Sequence, residues 1–323
     1  MKTVLSTVAF AIIVSTVAAQ GQFNAAAFPP VNEVPPITSN EVKEWLKGLN
    51  FADVPTFPVH TGNPPQCPAI TQIPPNQCWW TCQTCPADDI EVCPKPGDWG
   101  LTFDDGPTPQ TTPLLQTLKA NNVKATFFVM GSNVVRNAEI LKQEVADGHH
   151  IASHTWSHHP LTTLSNEQIV AEIKWTEKAV MDITGLQMKT SDAYDSKDFN
   201  LNAAGTTEAQ IGTALTKLAT TLNTYAANPG TKGIITLQHD LYNVTIDFAK
   251  RLFPAIAQAK LKPLTIAQCL NDATPYQNSP SVAPPSTGSK GPNVKPNSTS
   301  ALSVSSSVMM AALALLGTAL ATL

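Results

Sequence analysis

The sequence predicts an α/β fold built around a parallel sheet. From Trp99 to residue 264, short apolar runs typical of buried strands alternate with longer segments of helical periodicity. Strands that alternate with helices form parallel sheets, because each helix returns the chain to the starting edge of the next strand. The 323-residue chain is therefore predicted to hold one large α/β domain, residues 99–272, between flanking segments of different composition.

The elements of this domain follow in chain order. Strands are predicted at residues 99–103, 124–130, 150–154, 233–239 and 262–264. Helices are predicted at 112–121, 137–147, 165–185, 206–226 and 244–259, after a short helix at 40–49. The capping box Ser165-x-x-Gln168 opens the third of the five helices, and Gly185 ends it.

Both ends of the chain have the composition of targeting segments. Residues 1–19 combine Lys2, an apolar run and a small-residue exit, which predicts a secretory signal peptide. Residues 20–98 are rich in proline and cysteine, and residues 273–300 form a serine- and proline-rich stalk. Residues 301–323 are uncharged and follow the small polar residues Asn297 and Ser298, which predicts a GPI-attachment signal. A transmembrane anchor is the less favoured alternative, because the apolar run is short and lacks a basic flank.

Charge and cysteine content limit the function classes. A net charge of −4 with 14% charged residues argues against a nucleic-acid partner. Six cysteines in a secreted chain favour three disulfides over a redox or zinc role for Cys82-x-x-Cys85. Because Cys269 lies far from the rest, one bridge is expected to join the end of the domain to its start. The predicted disulfide cysteines are Cys67, Cys78, Cys82, Cys85, Cys93 and Cys269.

The Asp104-Asp105-Gly106 sequence ends the first strand of the domain with two adjacent carboxylates. Neighbouring side chains on a strand point in opposite directions, so the two acids can have different roles. Asp105 with His154 and His158 has the composition of a two-histidine, one-carboxylate site for a divalent metal with open positions for water. Asp104 then remains available as a general base, and His239 at a later strand end suits a general acid.

Each of these patterns alone is common. An Asp-Gly pair after a strand is often only turn chemistry, and two histidines four residues apart often bind nothing. His149, His150 and His159 are interpreted as bystanders. The ordered set, with each member at a strand end, is much harder to reach by chance. The sequon Asn243-Val244-Thr245 predicts glycosylation at Asn243.

Three motifs resemble carbohydrate esterase family 4, the NodB-homology polysaccharide deacetylases: Thr102-Phe-Asp-Asp-Gly106, His154-x-x-x-His158 and Leu237-Gln-His239. The cysteine-rich segment, the stalk and the tail resemble the fungal chitin deacetylases of that family. The resemblance implies a deformed (β/α) barrel and a zinc or cobalt ion held by Asp105, His154 and His158. It implies that Asp104 is the base, that His239 is the acid and that Leu237 lines the pocket for the acetyl methyl group.

The resemblance has one gap. The family's Arg-x-x-Pro-Tyr motif is absent, and the chain has only two arginines, Arg136 and Arg251, in other contexts. The segment Asp195-x-x-Asp198-Phe199 is similar to the family's following substrate-site motif, with Phe199 in place of tryptophan. A βα unit takes about thirty residues, so a missing block near residues 187–194 predicts an incomplete barrel. Exon skipping in an active gene and an inactive paralogue both explain this gap.

The resemblance implies that the chain hydrolyses N-acetyl groups of N-acetylglucosamine residues in chitin, releasing acetate at the fungal cell wall. The predicted partners are chitin or a related acetylated polysaccharide and a GPI lipid at the cell membrane. Two alternatives stay open. One is a non-catalytic protein that binds wall polysaccharide, and the other is an esterase that acts on a different acetylated glycan.

Overall fold

The computed structural model describes residues 23–52, 54, 58–62, 66–69, 72, 90–189, 207–228 and 230–278. The chain divides into two units, Met1–Pro292 and Asn293–Leu323, and all described residues lie in the first. No helix among these residues is long and apolar enough to span a membrane.

Five parallel strands form one sheet at the centre of the domain. Every residue of the first strand is buried, because the strand has neighbours on both edges and packed layers on both faces. All five strands predicted from the sequence are present, so the prediction of an α/β fold with a parallel sheet is confirmed. The strands are β1 (Asp98–Asp104), β2 (Thr126–Val129), β3 (His150–Ser153), β4 (Ile234–His239) and β5 (Lys262–Leu264).

The strand order is β3-β2-β1-β4, with β5 also paired to β1. β4 pairs with β1 from Trp99 to Asp104, which occupies one edge of β1 along almost its whole length. β2 and β5 share the other edge: β2 pairs from Thr102 onward, and β5 pairs up to Gly100. The backbone N–H of Ile266 donates to Thr126 Oγ1 at 2.8 Å, which ties the end of β5 to the start of β2.

The described strands form an open sheet, which is consistent with the expected deformed barrel. β3 and β4 are consecutive strands of the described chain, yet they lie at opposite edges of the sheet. In a closed (β/α) barrel each strand pairs with the next one along the chain. No strand in the part of the chain that the structure describes closes the gap between β3 and β4.

Eight α-helices surround the sheet within the described residues. The predicted capping box of α5 is formed, and Gly185 ends this helix at a φ of 76°, a left-handed conformation that glycine adopts without strain. Two helices, α3 and α8, were not predicted, because six and four residues are too few to show a helical period. The helices are α1 (Asn40–Lys47), α2 (Thr111–Ala120), α3 (Gly131–Arg136), α4 (Ala138–Ala146), α5 (Asn166–Thr184), α6 (Glu208–Ala227), α7 (Asn243–Ala259) and α8 (Ile266–Cys269).

An aromatic cluster joins the amino-terminal segment to α5. The rings of Trp45 and Trp175 meet edge to face at 5.2 Å between centroids. Phe28 packs against Trp175 at 5.7 Å and stacks on Trp156 at 6.1 Å. The hydrophobic core therefore extends across the change in composition near residue 98, and the part of residues 20–98 around Phe28 and Trp45 packs on the α/β domain.

A disulfide joins Cys93, just before β1, to Cys269 at the end of α8. This bridge spans 176 residues and links the end of the domain to its start, as predicted. A cross-link across so long a loop restricts the unfolded chain strongly. Cys67 is also disulfide-bonded, while Cys78, Cys82 and Cys85 lie outside the described residues.

Candidate active site

The carboxyl ends of three strands bring the predicted catalytic and ligand residues together. Asp104 ends β1 and lies directly opposite His239, the last residue of β4, in the parallel ladder. His154 follows the last residue of β3, and its N–H continues the ladder to the carbonyl of Val129 at 2.9 Å. Parallel strands place their carboxyl ends at one rim, which is where α/β folds bind ligands.

Asp105, His154 and His158 form a cluster whose ligand atoms all lie within 4.8 Å of one another. Oδ1 of Asp105 is 3.3 Å from Nε2 of His154 and 3.5 Å from Nε2 of His158. The two imidazole rings are adjacent, with centroids 4.7 Å apart. Asp104 is close but separate, with Oδ2 at 3.7 Å from Nε2 of His154.

These distances fit a divalent ion of zinc size. Two ligands of a tetrahedral zinc ion stand about 3.4 Å apart when each bond is about 2.0–2.2 Å. Oδ1 of Asp105 is buried and lies within 3.5 Å of Nε2 of both histidines, as expected of three ligand atoms that share one ion. The His158 side chain is 54% exposed, against 12% for His154, so the cluster is open to solvent on one side.

The turn after β1 orients the Asp105 side chain. Asp105 has a φ of 76°, which is uncommon outside glycine, and its carbonyl accepts a hydrogen bond from Asn133 Nδ2 at 2.7 Å. Asn137 Nδ2 donates to the carbonyl of Pro107 at 2.9 Å, so α3 and the residue after it hold both sides of the turn. Burial alone would raise the pKa of Asp105, but His154, His158 and His239 outweigh it and bring the pKa below its usual value.

The chain makes a tight turn from His154 to His158. Two residues of this turn have the left-handed conformation: Thr155 at φ 63° and His158 at φ 59°. A buried carboxylate on α5, Glu172, accepts hydrogen bonds from the N–H groups of Trp156 and Ser157 at 2.7 and 2.8 Å. Such a contact offsets the cost of a turn that non-glycine residues rarely adopt.

A second buried carboxyl group, Asp240, lies directly behind the turn after β1. It follows His239, is fully buried and accepts a hydrogen bond from Thr111 Oγ1. A methyl group added at Gly106 would overlap the Asp240 carboxyl oxygens, so Gly106 allows the turn to pack on this side chain. Burial, opposed by the Thr111 hydrogen bond, raises the pKa of Asp240 to about 7.

The remaining predicted site residues are distributed as follows. Leu237 is a buried residue of β4, two positions before His239. Asn243 begins α7 and is exposed, as a glycosylated residue must be. The predicted substrate residues Asp195, Asp198 and Phe199 and the predicted anchor residues Asn297 and Ser298 lie outside the described residues.

Two of the three histidines interpreted as bystanders are buried. His149 and His150 are 5% and 8% exposed, and burial lowers the pKa of each to about 4. A hydroxyl contact of 3.1 Å joins Thr126 to Nδ1 of His150. Both side chains are therefore neutral parts of the packing around β2 and β3, and neither belongs to the cluster of Asp105, His154 and His158.

Sequence reasoning missed four polar residues that support the site: Asn133, Asn137, Glu172 and Asp240. One of them had a visible signal. Glu172 lies on the apolar stripe of α5 that includes Ala179 and Ile183, where a charged residue indicates a buried partner. The two asparagines flank a helix too short to predict, and their partners are distant backbone carbonyls.

Comparison with known proteins agrees with this site. Residues 91–194 match the family model described as polysaccharide deacetylase. The chain is 33% identical over 293 residues to a chitin deacetylase of Amylomyces rouxii, covering 79% of this chain and 68% of that protein. This chain belongs to the polysaccharide deacetylase family.

Other polysaccharide deacetylases support the assignment. Chitin deacetylase 1 of Cryptococcus neoformans var. grubii is 34% identical over 287 residues, which cover 77% of this chain and 60% of that protein. The chain thus spans less than two thirds of that relative's length. The solved structure of the Colletotrichum lindemuthianum chitin deacetylase is 29% identical with a TM-score of 0.51, covering 58% of this chain and 94% of that one. This structural match confirms the family fold.

Proposed function

We propose that this chain is a metal-dependent deacetylase that removes acetyl groups from N-acetylglucosamine residues of chitin. The observation that carries the proposal is the cluster of Asp105, His154 and His158, with Asp104 and His239 at the same rim of the sheet. Two relatives named chitin deacetylase and a solved chitin deacetylase support the substrate class. The product would be chitosan with release of acetate.

Asp105, His154 and His158 would hold a zinc or cobalt ion. When bound, such an ion polarises the acetyl carbonyl and lowers the pKa of a water molecule. The open side of the cluster, at the exposed His158 ring, is where the acetyl group and water would enter. The low pKa of Asp105 keeps this side chain ionised, the form in which a carboxylate binds a cation.

Asp104 and His239 would carry out the proton transfers. Asp104 is 1% exposed and adjacent to the cluster, so it is placed to accept a proton from the attacking water. His239, opposite Asp104 in the ladder, would donate a proton to the amide nitrogen as the C–N bond breaks. The water oxygen ends in acetate, and the nitrogen leaves as the free amine of glucosamine.

We further propose that the protein acts at the cell wall after secretion and is held at the membrane by a GPI anchor. The apolar amino terminus, the stalk of residues 273–300 and the uncharged segment 301–323 support this location.

The direct test is acetate release from chitin oligomers by the purified chain with added zinc or cobalt. Activity that disappears with a chelator and returns with metal is expected. Asp104→Asn is the matched control, because it changes the proposed base and leaves all three ligands. A rate no higher than that of this variant would rule out the enzyme. Release confined to ester-linked acetyl groups would instead identify an esterase on another glycan.

A non-catalytic, polysaccharide-binding role is the second candidate. It is favoured by the gap between β3 and β4 and by the absent Arg-x-x-Pro-Tyr motif. In the family, that arginine orients the catalytic aspartate. In the family the same block also supplies a backbone N–H for the oxyanion, and loss of one such donor typically reduces a rate by about 100- to 1000-fold. This role predicts chitin binding that depends on metal and proceeds without acetate release.

A further inference from the structure

We propose that Glu172 on α5 is a positioning residue of the metal site, which sets the affinity of the site by fixing the turn that carries His154 and His158. This inference rests on the metal dependence proposed above and not on the choice of substrate. The Glu172 carboxylate accepts hydrogen bonds from Trp156 and Ser157, the two residues that precede His158 in the turn. It acts through the residues between the ligands.

Three donors from two adjacent residues converge on the Glu172 carboxylate. Oε2 accepts the N–H of Trp156 at 2.7 Å and the N–H of Ser157 at 2.8 Å. Oε1 accepts the hydroxyl of the same serine at 2.5 Å. Hydrogen bonds to a charged acceptor are about twice as strong as neutral ones. Both oxygens of the side chain are therefore occupied by the turn.

The turn needs such support because its backbone is unfavourable. Thr155 and His158, on either side of Trp156 and Ser157, both have positive φ angles. A β-branched threonine is a rare occupant of this region. Without the carboxylate, two buried N–H groups would lose their acceptor, and the turn could relax to a more extended path. His158 would then move away from His154 and Asp105.

Other contacts anchor the two sides of this arrangement. The carbonyl of Trp156 accepts from the N–H and hydroxyl of Ser132 at 3.0 and 2.6 Å. Glu172 is itself fully buried, and its carbonyl accepts from Thr176 Oγ1 at 2.9 Å in the next turn of α5. The carboxylate is therefore held in place by α5, and its hydrogen bonds fix the position of the turn relative to this helix.

The turn also contains a link to the next histidine. Ser157 Oγ, which donates to Glu172, is 2.8 Å from Nδ1 of His159. Partners beyond the ligands of a metal usually orient those ligands, and their mutation typically costs about 10- to 100-fold in affinity. The structure thus assigns Glu172 a role that acts through backbone groups and not through a ligand side chain.

The test is titration of the metal-free full chain with Co²⁺, followed by visible absorption. Glu172→Gln preserves the side-chain volume but removes the charge and replaces one acceptor with a donor. We expect about 10- to 100-fold weaker Co²⁺ binding and an altered absorption spectrum. Glu177→Gln is the matched control on the same helix, because Glu177 is partly exposed and pairs with Lys174 at 2.7 Å, one turn away from the histidine turn's contacts. Its affinity and spectrum should equal those of the unmodified chain.

Ser157→Ala is a milder second variant for the case in which Glu172→Gln does not fold. It removes one of the three donors and should weaken Co²⁺ binding less than Glu172→Gln does, without loss of fold. Thermal unfolding of each metal-free variant identifies the folded fraction to which the affinity refers. Unchanged Co²⁺ affinity and spectrum in the folded variants would overturn the proposal and leave Glu172 a purely structural residue.

The outcome is separable from that of the proposed function. If the unmodified chain binds Co²⁺ but releases no acetate, the deacetylase proposal fails while the role of Glu172 is still decided by the titration. If the unmodified chain binds no Co²⁺, metal dependence and the positioning role are both overturned.

Discussion

The two halves of the sheet support the proposed chemistry in different ways. In the half formed by β1, β2 and β3, each metal-ligand loop is held by several buried contacts: Asn133 and Asn137 hold the turn after β1, and Glu172 holds the histidine turn. The other half supplies His239 from β4 and the disulfide at Cys269. Within the described residues, no strand connects β3 to β4 on the open side.

This difference separates binding of a metal from turnover of a substrate. The three proposed ligands come from one contiguous part of the chain, within residues 91–194, which also match the family model. The proposed proton transfer would require both halves, because Asp104 and His239 are paired residues of the β1–β4 ladder. A chain can therefore keep a metal site while its catalytic rate is limited by residues that are missing between β3 and β4.

The largest effect is expected from Asp104→Asn in the first half. Loss of a general base typically reduces a rate by about 100- to 10,000-fold. Asp104 is not one of the three clustered ligand residues, so Co²⁺ affinity should change little. Acetate release and Co²⁺ titration on the same preparation measure both quantities. A large fall in affinity would show that Asp104 is a ligand, which would contradict the division of roles between the two acids.

A graft tests the second half of the comparison. Inserting a βα block that carries Arg-x-x-Pro-Tyr, taken from a chitin deacetylase relative, after Lys189 should raise acetate release by about 100- to 1000-fold, the usual contribution of an oxyanion donor. The same block with its arginine replaced by alanine separates the two contributions: the backbone oxyanion donor would remain, so this variant should keep part of the gain. Equal rates for graft and parent chain would mean that the missing block does not limit activity.

The pH dependence of stability probes the packing of β3. Burial lowers the pKa of His150 to about 4 from an ordinary value of 6.5. The unfolded chain therefore binds more protons than the folded chain between these values, and stability falls as pH decreases through this window. At 1.36 kcal/mol per pKa unit, protonation of His150 lowers the free energy of unfolding by up to about 3 kcal/mol across this window. The variant His150→Gln cannot take up this proton, so its free energy of unfolding should fall less at low pH.

Denaturant unfolding of the metal-free chain from pH 7.5 to pH 4.5 measures this effect. Asp182→Asn is the control, because Asp182 is an exposed residue of α5 that pairs with Lys178 at the surface. If the free energy of unfolding depends on pH in the same way for His150→Gln and the unmodified chain, the prediction is wrong. His150 would then take up its proton equally well in the folded and unfolded chains.

The smallest expected effect concerns the amino-terminal segment. Trp156 Nε1 donates to the carbonyl of Pro30 at 3.0 Å, which fastens this segment to the histidine turn. Trp156→Phe should lower the free energy of unfolding by about 1–2 kcal/mol through loss of this hydrogen bond and of ring volume. Trp45→Phe makes the same change of ring in the same aromatic cluster and is the control for volume. A smaller loss for Trp156→Phe than for the control would contradict an anchoring role.

Local pattern was sufficient to predict the strands, most of the helices and the residues at the strand ends. Strand periodicity depends only on neighbouring residues, and the carboxyl ends of parallel strands share one rim in any fold of this class. For that reason Asp104, Asp105, His154 and His239 could be placed at one site before any coordinates were known. The absence of the Arg-x-x-Pro-Tyr motif is also visible in the sequence, and the incomplete barrel inferred from it stays a prediction.

Tertiary structure alone decided which residues hold the site together. Asn133, Glu172 and Asp240 act on backbone groups or turns that are 16 to more than 100 positions away in the chain, and no local pattern records such a partner. Only the folded backbone brings the Glu172 carboxylate to the N–H groups of Trp156 and Ser157. The sequence by itself determined the chemistry that the strand ends can offer. The packing of α3 and α5 against the strand ends decided how the catalytic and ligand side chains are arranged relative to one another.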